Sequence, residues 1–494
     1  MIAYLDDIVS NAAKRYPHNI AIIEAGRRTK SVTYKELERR VIALSGYLVR
    51  KGLRKGERVG ILSKNSITSA ALYFAVSRAG GIIIPLNHAL DPSGIIERAN
   101  HCAISALYAG KEFKKQAKEI ADNVKSVRFV VKNIGYPAAL KKARETSTGS
   151  PVSIIYTSGT TGEPLGVTLS HKNLISNSLS IVKYLNLTSR DSVCCVLPFY
   201  YIYGLSLLFS YFLAGGTIVI NNRFMYPNLV LDSIDKYKAT AFAGVSSHYA
   251  IMLYMSTLKK RRLRGLKYFM QAGDKMPPHI TMELTEALPD KKLYIMYGQT
   301  EASPRLTYLN PDLVKRKPDS IGRAIPGVEI KVVNKQGAEC RAGQEGEIVA
   351  SGDNIMLGYW NNDSETAKVI KKRRLYTGDI AFKDSDGDLF IVGRKKDFIK
   401  VGANRINPLK IEQLMTEDSR IMEAAAIGVP DRVLGTRIKI FVTLVPGGKA
   451  GHKDIIRFCS GRLPSYVRPC DITILKAMPK NSYGKIDRKK LEAM

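Results

Sequence analysis

The sequence predicts an α/β protein. A large N-terminal domain of two α/β layers plus a small β-barrel lobe should be followed by a small α+β C-terminal domain. Three observations predict it. At 494 residues the chain is too long for one ordinary core. Short apolar runs alternate with helical patterns as far as Tyr308, which implies layers built on parallel strands. Beyond that point the pattern becomes short strands punctuated by glycine, and a further lobe begins near Asp397.

The elements follow in order. Ala21-Ile-Ile-Glu24, Arg58–Leu62 and Gly81–Pro85 read as strands, and Val41–Lys51 and Ser69–Arg78 as helices on apolar spacing. Lys111–Val124 is rich in Lys and Glu and reads as an exposed helix. Arg144–Ser150 is a loop feeding the next strand. The second α/β layer is expected from Val152 to about Tyr308. Val328–Val333, Gly346–Ala350 and Asp388–Val392 read as the strands of the β-lobe. In the C-terminal lobe, Leu409–Thr416, Met422–Val429, Ile438–Val445 and Asp454–Gly461 are expected to alternate helix and strand. The uncharged run Val193–Asn222 is long enough to span a bilayer, but Pro198, Gly204 and Gly215-Gly216 break it. A buried helix is the expectation there, not a transmembrane segment.

Bulk chemistry narrows the class. The composition is 45% hydrophobic, that of a globular chain. The six cysteines show no CxxC and no zinc-type pairing with histidine, and read as reduced thiols of a cytoplasmic protein. The first seventeen residues carry acids and lack an apolar signal core. The end, Leu491-Glu-Ala-Met494, is not a peroxisomal address. A net charge of +32 favours anionic partners and leaves peripheral membrane contact open. The charge is spread out, however, and no nucleic-acid-binding motif accompanies it.

The most informative stretch is Ser153-Ile-Ile-Tyr156-Thr157-Ser158-Gly159-Thr160-Thr161-Gly162. An apolar strand breaks into hydroxyls and glycines, which bring backbone N–H groups and hydroxyl donors close to an anion. The Gly-Lys-[Ser/Thr] ending of a Walker A loop is missing. Four more motifs follow: Tyr297-Gly298-Gln-Thr300-Glu301, Tyr376-Thr-Gly-Asp379, Gly393-Arg394-Lys-Lys396-Asp397 and Gly484-Lys485-Ile-Asp-Arg488. Each alone could be a turn. All five in this order resemble the adenylate-forming superfamily: acyl-CoA synthetases, adenylation domains and firefly-type luciferases. The resemblance runs from Val32-Thr-Tyr-Lys-Glu-Leu37 to Arg488, essentially the whole chain.

That resemblance implies an N-terminal AMP-binding domain over 1–393, a hinge at 394–397 and a mobile domain over 398–494. It implies an ATP-dependent acid–thiol ligase using Mg²⁺: a carboxylic acid attacks the α-phosphate of ATP, and a thiol then displaces AMP. The thiol would belong to CoA or to the phosphopantetheine of a separate acyl carrier protein. Thr157–Gly162 would wrap the β- and γ-phosphates. Glu301 would hold the metal, since magnesium takes one or two carboxylates plus phosphate oxygens. Thr300 would donate to the α-phosphate, with a helix cap as its plainer reading. Asp379 would accept from the ribose hydroxyls and Arg394 would contact ribose or phosphate. Tyr297 with Gly298 would lie at the adenine, and Gly273 in the loop Gln271–Lys275 beside it. Lys485 would bridge carboxylate and α-phosphate. Lys396 falls at the hinge, and Lys400 with Gly402–Arg405 belongs to the face used in the thiol step.

Two positions depart from the family's pattern. Leu165 stands where the phosphate loop usually carries lysine, which leaves a nucleotide-binding pseudoenzyme as the alternative. Lys410 replaces a frequent acid on what should be a surface helix. In the pocket, Tyr201 holds the gating position. Ile202 stands where amino-acid-activating relatives carry an aspartate for the substrate amine. An unpaired buried ammonium is costly, so a fatty or aromatic acid without one is expected. Ser246, Ser247, Gly273 and Ser303 should line part of the pocket, with Arg305 near it.

Overall fold

The computed structural model describes residues 2–131, 147–157, 164–401, 404–431, 435–459, 462–463, 471–481 and 485–494. Among these residues the N-terminal part is built on two large sheets. The first has seven strands in the order Gly358–Tyr359, Leu165–Ser170, Pro151–Thr157, Ile82–Leu86, Arg58–Leu62, Ala106–Ala109 and Phe129–Val131. The second has fourteen strands. Its parallel centre runs Ile20–Glu24, Thr217–Ile220, Ser192–Cys195, Ala241–Gly244, Tyr268–Gln271, Lys292–Gly298.

Local chemistry starts the helices where the pattern needs them. Thr33 accepts from Glu36 N–H while Glu36 reaches back to Thr33 N–H, and the helix Tyr34–Arg50 begins there. Ser66 and Ser170 cap Ile67–Arg78 and His171–Leu185 through the same reciprocal geometry. Both predicted helices of the first layer therefore start earlier than their apolar spacing suggested. Lys111–Val124 resolves into a 3₁₀ turn and the helix Lys114–Asn123.

Three expectations need revising. The phosphate strand Pro151–Thr157 does not open the second layer; it sits in the seven-stranded sheet as an antiparallel hairpin with Leu165–Ser170. Conversely, Ile20–Glu24 pairs with Thr217–Ile220, so the layers interleave along the chain. The run Val193–Asn222 is strand, helix and strand. Its helix Ile202–Ala214 buries residues on every side, which explains the absent charges. No helix among the described residues is long and apolar enough to cross a membrane.

The β-lobe has its own core around Leu306, Val332, Ile348 and Leu375. Its strands nevertheless continue the second sheet, joined through Ser320–Ala324 and Arg305–Tyr308. Beyond Val392 the core changes hands. Ile399, Ile411, Ile440 and Ile472 belong to a separate cluster built from later residues. That unit does not alternate helix and strand as expected. Helix Pro408–Thr416 leads into an antiparallel hairpin of Ile421–Asp431 with Gly435–Leu444, joined in parallel by Asp471–Leu475.

The two parts touch at defined points. Asn407 Nδ2 donates to Val392 O, and Gln413 Nε2 donates to Asp319 Oδ1 at 2.9 Å. Lys275, on the N-terminal side, pairs with the same Asp319 at 2.7 Å.

Candidate active site

The parallel strands of the second sheet set the site. Leu197–Tyr201, Val245–Ser247, Gly273 and Gln299–Thr300 all follow the carboxyl ends of neighbouring strands, where open α/β sheets bind ligands. A cavity of about 530 Å³ opens there. Thr157, Leu165, Tyr201, Ile202, Gly273 and Gly298 line one part of it. Thr300, Glu301, Arg305, Arg394, Lys396 and Lys485 line the rest. A second cavity of about 920 Å³ adjoins it, lined by Ser246, Ser247, Tyr297 and Asp379. Gly273, Gly298, Arg394 and Lys485 border both.

At the wall between them, Asp379 and Arg394 face each other across adjacent antiparallel strands. The Asp379 carboxylate is buried, accepting from Arg394 Nε at 3.0 Å and from Tyr297 Oη at 2.6 Å. Asp379 holds the Arg394 guanidinium well above its ordinary pKa. Burial first, then the Asp379 charge, pushes the Tyr297 phenol up, so it stays a neutral donor. A carboxylate so placed offers its remaining lone pairs to hydroxyl donors in the cavity.

Thr300 and Glu301 form a 3₁₀ turn directly after strand Lys292–Gly298. Gln299, not Thr300, takes the cap position and its side chain makes no cap bond. Thr300 is thus free of the capping role that its sequence allowed. Glu301 Oε1 accepts from Tyr359 Oη at 2.9 Å. Burial, with Glu301 beside it, raises the Tyr359 pKa, so that proton stays on the phenol. The donor set fits magnesium in part: one oriented carboxylate at the cavity wall, with phosphate oxygens left to complete the shell.

Lys485 is presented by the end of a hairpin. Asp487 N–H donates to Pro479 O at 2.9 Å, and Asn481 N–H to Lys485 O at 2.8 Å. Lys485 N–H returns a bond to Asn481 Oδ1 at 3.1 Å. Arg488 pins the arrangement. Its Nη2 lies 2.7 Å from Glu412 Oε1, and its Nη1 donates to Ala426 O at 2.8 Å. Lys485 and Lys396 line the same cavity, together with Lys368 and Lys395, so the lining is rich in cations.

Other expected residues lie differently. Ser158–Gly162 and Gly402–Ala403 fall outside the described residues. Lys400 is exposed on strand Ile399–Val401 and borders neither cavity. Ser303 also lines neither; it is 2% exposed, with a buried hydroxyl that has no hydrogen-bond partner. Its chain neighbours Pro304 and Arg305 line the first cavity instead. Leu165 stands opposite Thr157 across the hairpin and packs against the main core. Lys410 is exposed on its helix. Two contributors had no signal in the sequence: Tyr359, which ends the edge strand Gly358–Tyr359, and Glu412, the anchor of Arg488.

Residues 9–360 match the family model described as AMP-binding enzyme, and residues 410–485 match the AMP-binding enzyme C-terminal domain. A long-chain-fatty-acid–CoA ligase of Salmonella typhimurium is 30% identical, covering 99% of this chain and 94% of that protein. ATP-bound MatB from Rhodopseudomonas palustris superposes with a TM-score of 0.91 at 26% identity, covering 100% of this chain and 99% of that one. The o-succinylbenzoate CoA synthetase of Bacillus subtilis, in complex with its acyl-adenylate intermediate, gives 0.87 at 25%, covering 98% and 97%. The motifs, the sheet-end cavity and these matches agree, and the chain belongs to the AMP-binding enzyme family, within the adenylate-forming superfamily of the acyl-CoA synthetases.

Proposed function

We propose that the protein is an AMP-forming acid–CoA ligase for a carboxylic acid that lacks an α-ammonium group. The observation that carries this reading is the meeting of Lys485, Lys396, Thr300 and Glu301 on one cavity, beside the Asp379–Arg394 pair.

In the first half-reaction a carboxylate oxygen of the acid attacks the α-phosphorus of ATP. An O–P bond forms, the bond to the β-phosphate oxygen breaks, and pyrophosphate leaves. The difficulty is bringing two anions together, and fixed cations lower that cost. Lys485 is assigned the bridge between carboxylate and α-phosphate. Lysine is a point charge on a flexible stem, suited to a contact wanted in one step only. Thr300 supplies a hydroxyl to the α-phosphate, and Asp379 accepts from the ribose hydroxyls. Glu301 would hold Mg²⁺, which when bound neutralises phosphate charge.

In the second half-reaction the thiol sulfur attacks the acyl carbon. The C–S bond forms, the C–O bond to AMP breaks, and the thiol proton passes to solvent. Residues 394–397 are assigned the hinge that withdraws Lys485 between the steps, because the buried cores divide around them. Lys400 then belongs to the face used in the thiol step. Relatives named as CoA ligases support CoA as the acceptor over a carrier protein.

Ile202 supports the substrate class. It begins the buried helix, is 3% exposed and borders the cavity, so it offers no partner to an ammonium.

The test is pyrophosphate release from ATP over a panel of acids, with and without CoA. Acid-dependent release that CoA accelerates is expected. Lys485→Ala should abolish adenylation yet spare thioester formation from pre-made acyl-AMP; equal loss of both steps would overturn the role given to Lys485. ATP binding with no release for any acid, CoA or carrier protein present, would make the chain a nucleotide-binding pseudoenzyme.

A further inference from the structure

One cation at this site has no anion. Arg305 borders the first cavity, yet it is only 3% exposed. Its Nε is buried with no hydrogen-bond partner. Among the described residues no Asp or Glu forms an ion pair with it. The other guanidiniums around the two cavities are matched: Arg394 with Asp379, Arg488 with Glu412 and Arg98 with Glu97. A buried guanidinium left without a counter-charge is costly, and structures that keep one usually give it a partner.

What Arg305 does have is support. Its guanidinium carbon lies 4.1 Å from the centroid of the Tyr203 ring, a cation–π contact that offsets part of the desolvation. Tyr203 is fixed in turn, donating to Met270 O at 2.9 Å. The backbone is clamped from two sides. Arg305 N–H donates to Asn177 Oδ1 at 3.2 Å, and Arg305 O accepts from Asn177 Nδ2 at 2.8 Å and Asn354 Nδ2 at 3.1 Å. Asn177 and Asn354 are 1% and 2% exposed. A cation held this firmly at a cavity wall is pre-organised for a ligand and loses little freedom on binding.

Resting on the ligase reading above, we infer that Arg305 is a specificity-determining residue that binds a second carboxylate, carried on the tail of the substrate. The acid being activated is then a dicarboxylic one, aliphatic or aromatic. One carboxylate meets the nucleotide near Thr300 and Lys485, and the other meets Arg305 in the same 530 Å³ cavity. Guanidinium suits this task because its donor fork matches a carboxylate's two oxygens. An unsubstituted alkyl tail would instead lay methylenes against an unpaired charge.

The experiment compares matched pairs, each a monocarboxylic acid and the α,ω-dicarboxylic acid of the same carbon number, plus an aromatic acid with and without a second carboxyl. Pyrophosphate release gives kcat/KM for wild type, Arg305→Met and Arg305→Lys. At the best length the wild type should prefer the diacid by about 10- to 100-fold, the range for a charge-assisted hydrogen bond. Arg305→Met should erase that preference, mainly through KM for the diacid, and Arg305→Lys should keep part of it. Equal losses for both acids in Arg305→Met would mean that Arg305 is only structural. If Arg305→Met does not fold, the wild-type ratio decides alone, and a monoacid used as well as its diacid overturns the tail site. Release with monoacids but no diacid preference overturns this inference and leaves the ligase standing. No release with any acid overturns both.

Discussion

Replacing Arg488 with methionine should loosen the small domain from within and mislay Lys485. Glu412 is 8% exposed and accepts from Ala426 N–H at 2.8 Å as well as from Arg488. Truncating one partner of a fully buried pair costs about 3–5 kcal/mol, because the other charge is stranded. Here the Arg488 side chain is 33% exposed and that of Glu412 11%, so water screens the pair. The cost should fall to about 2 kcal/mol, which a domain with the usual 5–15 kcal/mol survives.

The deficit should depend on pH. Burial raises the Glu412 carboxyl above its ordinary pKa, and Arg488 is the largest influence pulling it back. An acid with a raised folded-state pKa supplies stability that is present at low pH and lost as pH rises through that value. Without Arg488 the pKa climbs further, so Arg488→Met should be worst at mildly alkaline pH and recover on acidification. Hydrogen exchange in the strands Ile421–Asp431 and Gly435–Leu444 reads the local stability, and pyrophosphate release reads the placement of Lys485. The double variant Glu412→Gln/Arg488→Met should regain much of the protection lost in the single one. Unchanged exchange in Arg488→Met, or no recovery in the double variant, would refute the pairing argument.

Two substitutions test the cavity walls. Leu165→Lys puts an ammonium at the cavity edge opposite Thr157, and KM for ATP should fall by about 3- to 10-fold, less as salt rises. An unchanged KM would show that Lys396 and Lys485 already supply enough charge. Gly273 has φ +97°, and a Cβ there would stand 2.9 Å from Tyr201 Oη. Gly273→Ala should therefore cost about 1–2 kcal/mol in thermal unfolding and raise KM for the acid more than KM for ATP. Equal effects on the two substrates would mean that Tyr201 does not gate the acyl side.

The motifs were legible because each is a short local device: a strand that breaks into glycine and hydroxyls, or a turn that sets one carboxylate on a strand end. The helix starts were legible for the same reason, though apolar spacing alone missed the capping boxes at Thr33 and Ser66. Long-range pairing was not. Nothing near Pro151 says that its strand joins Ile82–Leu86 and not the sheet that follows, because both are apolar runs of similar length. Ser303 and Arg305 show the same limit within three residues. The small side chain that suggested open space is buried, and the large charged one borders the cavity. Glu412 lies on the helix expected at the surface, and its partner, Arg488, comes from near the far end of the chain.

The pairing of Ile22 with Ile218 has a consequence for how the molecule is made. A nascent chain can pair its first two strands with each other, but the other edge of Ile20–Glu24 stays open until Thr217–Ile220 leaves the ribosome. During that interval the apolar run Ala21–Ile23 is a target for chaperones. The small domain has no such wait, since the three strands of its main sheet lie between Ile421 and Leu475. Trimming the first thirty or so residues would leave Thr217–Ile220 as a bare edge, ready to recruit a neighbouring molecule. A fusion partner or tag attached ahead of Ile20 therefore sits beside the seam that Ile20–Glu24 forms with Thr217–Ile220.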